Sequence, residues 1–322
     1  MCYVVEMFAI LISRAWPQYY ASSPFKNFLD IDHRSHPDFE IISTTSEMFD
    51  DPMFVERLRK FSAIVVDEVM VNYLPTDLNR PCLLIDGDPH RHRPDQVPDL
   101  VKRYEAVDYV LGYPIGPEDP RYSYPPIELR KKKCLYYPHA APGTTPPKLS
   151  WAARRDYATL SGSMDPSVYP FRALLWDTYH PNIERWTFQA TVHEAYFRKL
   201  SQSKAAITCN AVVKYTVAKY FEIPWCGCLL LAKRLDPEES ELLGFIPEVN
   251  CFFTDHPTNL LQYISSLPSY ATVATAGHSL VMQRHTILSR LEYLSRLIKR
   301  ILQGKNFKAG DELDLFKTAH VV

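Results

Sequence analysis

Short β-rich runs alternate along this chain with polar stretches that have the charge content of surface helices, and that alternation restricts the fold more than any other feature. In the first half, FEIIST near 39, SAIVVDEV near 62, PCLLID near 81, VDYVLGYP near 107 and CLYYPHAA near 134 read as strands. FVERLRKF, PDLVKRYEA and PIELRKKK lie between them and read as helices. A β, α, β, α rhythm predicts a parallel sheet with helices on its faces. The opening MCYVVEMFAILIS carries Glu6 and no basic leader, and its apolar run is too short to cross a bilayer, so it is expected to be a first strand.

The rhythm resumes after PHAAPGTTPPKLS (138–150), a stretch rich in proline, glycine, serine and threonine with no apolar period, which reads as an interdomain connection. Beyond it, RDYATLSGS, IERWTFQ, KAAITCN, CGCLLLAK and NCFFTD read as strands, separated by helical stretches such as YPFRALLWDTY and HEAYFRKLSQS. A chain of 322 residues fits two domains at about 150 residues each. The expected fold class is therefore α/β, with a first Rossmann-like domain over 1–145 and a second over 146–303. SLVMQRHTILSRLEYLSRLIKRIL has apolar residues at helical spacing and is expected to form one long amphipathic C-terminal helix. The polar tail 304–322 is expected to run over the surface.

Seven cysteines lie mostly in apolar runs without a CxxC pair, a pattern of reduced, buried thiols that favours a cytoplasmic setting. Cys226 and Cys228 form a lone CxC, for which metal or redox use is the weaker reading beside reduced, buried thiols. Formal net charge is -1, so nothing in the balance asks for nucleic acid or an anionic membrane as partner. Glycine numbers only ten, and neither GxGxxG nor GxxxxGK[ST] is present; GxSxG and HExxH are missing too.

Two parallel-sheet domains are expected to place the carboxyl ends of their strands around one cleft, where such sheets bind ligands. In the second domain KAAITCN ends a strand, and Asn210 or Thr216 is expected to cap the following helix, whose free amides favour a phosphate. Lys214 and Lys219 add positive charge. Glu222, in KYFEIPWCGCLLL, interrupts a stretch otherwise fit for a core. One helical turn beyond Lys219, it is either a carboxylate accepting bonds from a sugar's hydroxyl pair or one half of an ion pair with Lys219 on a solvated face. In the first domain LLIDGDPHRHRPD is the richest polar cluster. Asp88 and His90 are candidates to orient or deprotonate an acceptor hydroxyl, with His92 a weaker one. Alternatively, Asp86 and Asp88 end the strand and cap a turn. Their DxD spacing arises easily in such a chain, and no metal is expected there. His139, at the mouth of the connection, is either a donor-side group or a satisfied linker histidine.

KYFEIPWCGCLLLAK, then LLGFIPEVNCFFTDHPTNLLQYISSL, then AGHSLVMQRHTILSRLEYL, resemble the C-terminal half of GT-B glycosyltransferases of group 1, especially the branch of the spore-coat maturation glycosyltransferases. The resemblance covers most of 150–300. A family glutamate five residues before a glycine, which binds the ribose of the nucleotide sugar, matches Glu222 and Gly227. A later segment matches Glu248, Asn250, Phe252 and a helix from Thr258, and a closing "HT…R" matches His285, Thr286 and Arg290. Group-1 enzymes carry a second glutamate where this chain has Lys214, which places a cation near the diphosphate instead. The family's phosphate-side residues fall on LSGSMDPSVYPFR, which offers Ser161, Gly162, Ser163 and Arg172.

The resemblance implies two Rossmann-like domains facing a cleft and a cytoplasmic glycosyltransferase that moves a sugar from a nucleotide-diphosphate donor to a hydroxyl of a glycan, protein or modified base. Retention of configuration, no metal and no cofactor beyond the donor are implied with it. Glu222, Lys219, Lys214, Thr216, Arg172, Gly162, Ser163 and His139 would bind the donor, and Asp88 or His90 would serve the acceptor. A nucleotide-sugar epimerase on the same fold, or a non-catalytic module binding a nucleotide sugar or glycan, are the alternatives. Nucleic acid as acceptor is disfavoured by the missing basic excess, since duplex binding relies on phosphate neutralisation.

Overall fold

The computed structural model of the chain describes residues 6–14, 36–86, 97–112, 125–142, 145–147, 149–178, 181–186, 193–210, 216–304 and 310–318. Its contacts divide it into two units: Met1–Pro138 with Ile287–Val322, and His139–Thr286.

The first unit is built on six parallel strands: β1 (Phe8–Ser13), β2 (Phe39–Thr44), β3 (Ala63–Asp67), β4 (Cys82–Ile85), β5 (Tyr109–Gly112) and β6 (Cys134–Tyr136). Their order is β2-β1-β3-β4-β5-β6. β1, β3 and β4 are buried along their whole length, which is why they read as unbroken apolar runs rather than alternating ones. The order reverses between β1 and β3, and Asp67 spans that point. Its carboxylate accepts from the Ser13 amide at 2.6 Å, Val69 at 2.9 Å and Met70 at 2.8 Å, tying both strand ends together. The helix Pro52–Leu58 starts where Asp51 caps the Met53 amide at 2.9 Å, and it buries Phe54 and Leu58.

The expected single C-terminal helix is two helices, Ala271–Arg284 and Ile287–Leu302. The break falls at His285 and Thr286 because the backbone there is used elsewhere. The Ala141 amide donates to the His285 carbonyl at 2.7 Å, and Ala141 bridges to Thr286. The chain then returns to the first unit, so it passes from one unit to the other at 138/139 and 286/287, where the expected bounds were 145 and 303. The second helix is anchored in the first unit by Arg290 Nε on the Pro138 carbonyl at 3.0 Å and by the Tyr293 hydroxyl on the Tyr136 carbonyl at 2.8 Å.

Nor does the tail simply run over the surface. Residues Glu312–Thr318 form a helix that buries Glu312 and Phe316. Phe316 packs edge-on against Tyr136 and Tyr293, each at 5.3 Å, and Glu312 Oε1 accepts from the Tyr136 amide at 3.2 Å.

The second unit carries five parallel strands: β7 (Arg155–Ser161), β8 (Ile183–Trp186), β9 (Ser203–Thr208), β10 (Leu229–Lys233) and β11 (Phe252–Thr254), ordered β11-β10-β9-β7-β8. Ala158, Leu160, Ala205, Ile207, Leu229 and Leu231 form one core face, closed by Phe171, Leu175, Leu260 and Ala274 from the helices. Here the order reverses between β7 and β9, so the carboxyl ends of those two strands form the switch point at which open α/β sheets take ligands.

Candidate functional site

β7 ends at Ser161 and the chain turns at Gly162, whose φ of +107° is strained for any residue with a side chain. Two cations converge on that turn. Arg172 comes from the first turn of the helix Pro170–Asp177, which Pro170 starts by supplying a preset φ. It is 3% exposed, its Nη1 donates to the Ser163 carbonyl at 3.0 Å, and its guanidinium lies 4.2 Å over the Tyr169 ring. Among the described residues its Nε has no hydrogen-bond partner. Lys219 opens the helix Lys219–Trp225 and sends Nζ to the Ser161 carbonyl at 3.1 Å. A Cβ placed on Gly162 would stand 2.7 Å from Lys219 Nζ and 2.8 Å from Arg172 Nη1. Only a glycine leaves the space between the two charges open.

Glu222 follows on the same helix and is 2% exposed. Its Oε2 accepts from the Tyr196 hydroxyl at 3.0 Å. The solvated ion-pair reading is thereby overturned, because the carboxylate is inside the unit and bonded to a buried tyrosine. Burial raises the Glu222 carboxyl to about 7, with the Lys219 charge and the Tyr196 bond pulling the other way. Burial lowers Lys219 to about 7 as well; the Arg172 charge adds to that and Glu222 opposes it. A buried arginine and a half-buried lysine that repel one another beside the glycine turn form a site suited to an anion presenting several oxygens.

The structure thus brings Gly162, Arg172, Lys219 and Glu222 together at the β7/β9 switch point. Ser163 is exposed and enters through its carbonyl. Thr216 is fully buried, and Asn210 accepts from the Tyr220 hydroxyl at 2.5 Å. Neither caps the helix that follows: its N-cap is Ala218, without a side-chain bond, because the helix starts only at Lys219. His139 is half-buried at the start of the unit. Lys214, Asp88, His90 and His92 lie outside the described residues. Asp86 is buried beyond β4, where the Tyr104 hydroxyl donates to it at 2.5 Å. Among the described residues no group of three His, Cys, Asp or Glu side chains is placed to hold a metal.

Several residues of the C-terminal motifs have structural partners. Gly227 takes φ +71° just after the helix, and a Cβ there would meet Arg154 Nη2 at 2.8 Å. That buried arginine donates to the Leu149 carbonyl at 3.1 Å and the Cys226 carbonyl at 2.8 Å. Cys226 and Cys228 are free, buried thiols, pushed up by burial. Asn250 staples its loop through the Gly244 carbonyl and the Ile246 amide, both at 2.9 Å, while Glu248 is exposed at φ +67°. His285 Nε2 lies 2.7 Å from the Leu243 carbonyl. Sequence reasoning missed Tyr196, since a tyrosine on an amphipathic helix 26 positions before its partner carries no local signature.

No protein-family model matches the sequence, and no curated protein matches it. Solved structures do. An α-glucosyltransferase in complex with UDP-glucose and DNA containing an abasic site is 10% identical with a TM-score of 0.56, over 91% of this chain and 99% of that one. Sucrose-phosphate synthase from Thermosynechococcus elongatus is 12% identical with a TM-score of 0.53, over 93% and 100%. HepE from Anabaena in complex with UDP and glucose is 12% identical with a TM-score of 0.52, over 92% and 100%. At these identities the likeness is one of fold, and the fold of this chain is GT-B. Among the described residues no helix is long and apolar enough to cross a membrane.

Proposed function

We propose that this GT-B chain is a glycosyltransferase whose second unit binds a nucleoside-diphosphate sugar at the β7/β9 switch point. The convergence of Arg172 and Lys219 on Gly162 carries the reading. A diphosphate laid against the glycine would receive charge-assisted bonds from both cations, including the otherwise unpartnered Nε of Arg172. Glu222 would accept from the ribose hydroxyls. As the sugar bond breaks, negative charge grows on the departing diphosphate, and two fixed cations in a buried site stabilise it more than water does. Two protein cations supply the compensation a divalent ion would otherwise give, so the transfer is read as metal-independent. Retention of configuration follows the resemblance to the group-1 enzymes.

Two of the similar structures, HepE and the α-glucosyltransferase, hold UDP or UDP-glucose, which makes UDP-sugars the first donors to try. The acceptor hydroxyl is assigned to the first unit, with Lys214 near the diphosphate and Asp88 or His90 orienting the acceptor, on sequence grounds. The test is release of UDP from UDP-sugars with and without a panel of hydroxyl acceptors. Acceptor-dependent UDP release supports the reading. Conversion of the donor's sugar without an acceptor would indicate an epimerase, and donor binding without any turnover a recognition module.

A further inference from the structure

Tyr196, on the helix His193–Ser201, touches both halves of the polar cluster. Its hydroxyl donates to Glu222 Oε2 at 3.0 Å, and Lys219 Nζ lies 5.6 Å over its ring. The side chain is 1% exposed and wedged between Trp186, at 5.6 Å, and Phe197, at 5.0 Å, so it has no room to swing. Trp186 itself pairs in register with Ser161, the residue before the glycine turn, which places this aromatic group beside the same strand ends.

A phenol has one proton to give. Given to Oε2, it fixes the plane of the carboxylate and leaves Oε1 for other donors. We propose that Tyr196 is the positioning residue of the donor site: its hydroxyl holds Glu222 in the one orientation that receives the ribose hydroxyls. The inference rests on the nucleotide-sugar reading of the same site. Burial and the Glu222 charge hold the phenol well above its usual ionisation, so it remains a donor throughout the working pH range.

The role is distinct from packing and has a distinct readout. Tyr196→Phe keeps the ring between Trp186 and Phe197 and removes only the donor. In the full chain, affinities for UDP and for inorganic pyrophosphate are measured side by side by calorimetric titration. Wild type is expected to prefer UDP, and Tyr196→Phe is expected to lose about tenfold in UDP affinity while pyrophosphate affinity is unchanged. In a Glu222→Ala background, which has no side-chain acceptor, the same tyrosine change is expected to cost nothing further. That background also serves if Tyr196→Phe alone does not fold, because the buried charge that needs the donor is gone.

The outcomes separate the two claims. Wild type that binds neither probe overturns the donor-site reading, and the inference with it. A preference for UDP that Tyr196→Phe retains in full overturns the inference and leaves the donor site standing. Equal losses for UDP and pyrophosphate, or a further loss of UDP affinity in the Glu222→Ala background, mark Tyr196 as a packing residue and overturn it too.

Discussion

Glu222 and Lys219 lie three residues apart on one short helix, and burial shifts their ionisations towards each other: the carboxyl rises to about 7 and the ammonium falls to about 7. Each opposes the other's shift, since the lysine charge lowers Glu222 and the carboxylate raises Lys219.

Ligand binding should show this as a pH dependence. A diphosphate favours the ammonium form of Lys219, so above pH 7 binding must take up a proton. Above pH 7 the dissociation constant for UDP-glucose is expected to rise by up to about tenfold per pH unit. Glu222→Gln removes the group that raises Lys219, so the break should move to lower pH. Calorimetric titration between pH 6 and 9, in buffers of different ionisation enthalpy, checks both the slope and the proton count.

Stability should carry the opposite signature of the carboxylate. The folded-state carboxyl of Glu222 is raised above its unfolded value, so the folded state holds more protons between about pH 4.5 and 7. Its contribution is present below 4.5 and is lost as pH rises through 7. Glu222→Gln is thus expected to gain stability relative to wild type across that window, as read by chemical denaturation at successive pH values.

At Gly162, replacement by alanine combines a positive φ with a Cβ driven between the two cations. The expected cost is of order 1–3 kcal/mol in unfolding free energy. Loss of UDP-glucose binding should accompany it, because the methyl group fills the space assigned to the phosphate. A variant that folds less stably but binds normally would place the anion elsewhere.

In the first unit, Phe316→Ala tests the tail helix. The ring is 4% exposed and packs on Tyr136 and Tyr293. Its removal should cost about 3–5 kcal/mol. A tail that merely lay on the surface would give less than about 0.5 kcal/mol, within the range of ordinary surface substitutions.

How far these features could be read from the sequence depends on how local their causes are. The strands were legible because buried parallel strands leave continuous apolar runs such as AIVVD and LLLAK. Glu222 stood out because a charge in an apolar run must have a reason, Lys219 stood one helical turn before it, and Arg172 and Gly162 followed from the resemblance. Tyr196 did not stand out: its hydroxyl bond to Glu222 joins two helices across the sheet end, and nothing in HEAYFRKLS distinguishes it from a packing aromatic. The tail helix was hidden for a related reason, since Phe316 is one buried ring in an otherwise polar segment. The break at His285 and Thr286 answers to Ala141, more than 140 positions away. In each case the deciding contact is remote in sequence.

The most direct test of the donor site is calorimetric titration of UDP-glucose into wild type and Arg172→Met at pH 7. Replacing the buried member of two repelling cations with an apolar side chain of similar length should leave the unliganded protein at least nearly as stable. The account predicts saturable binding to wild type and a loss of tenfold or more in the variant, with its unfolding midpoint kept. Equal binding by both proteins, or no saturable binding of UDP-, GDP- or ADP-sugars to a folded wild type, would contradict it.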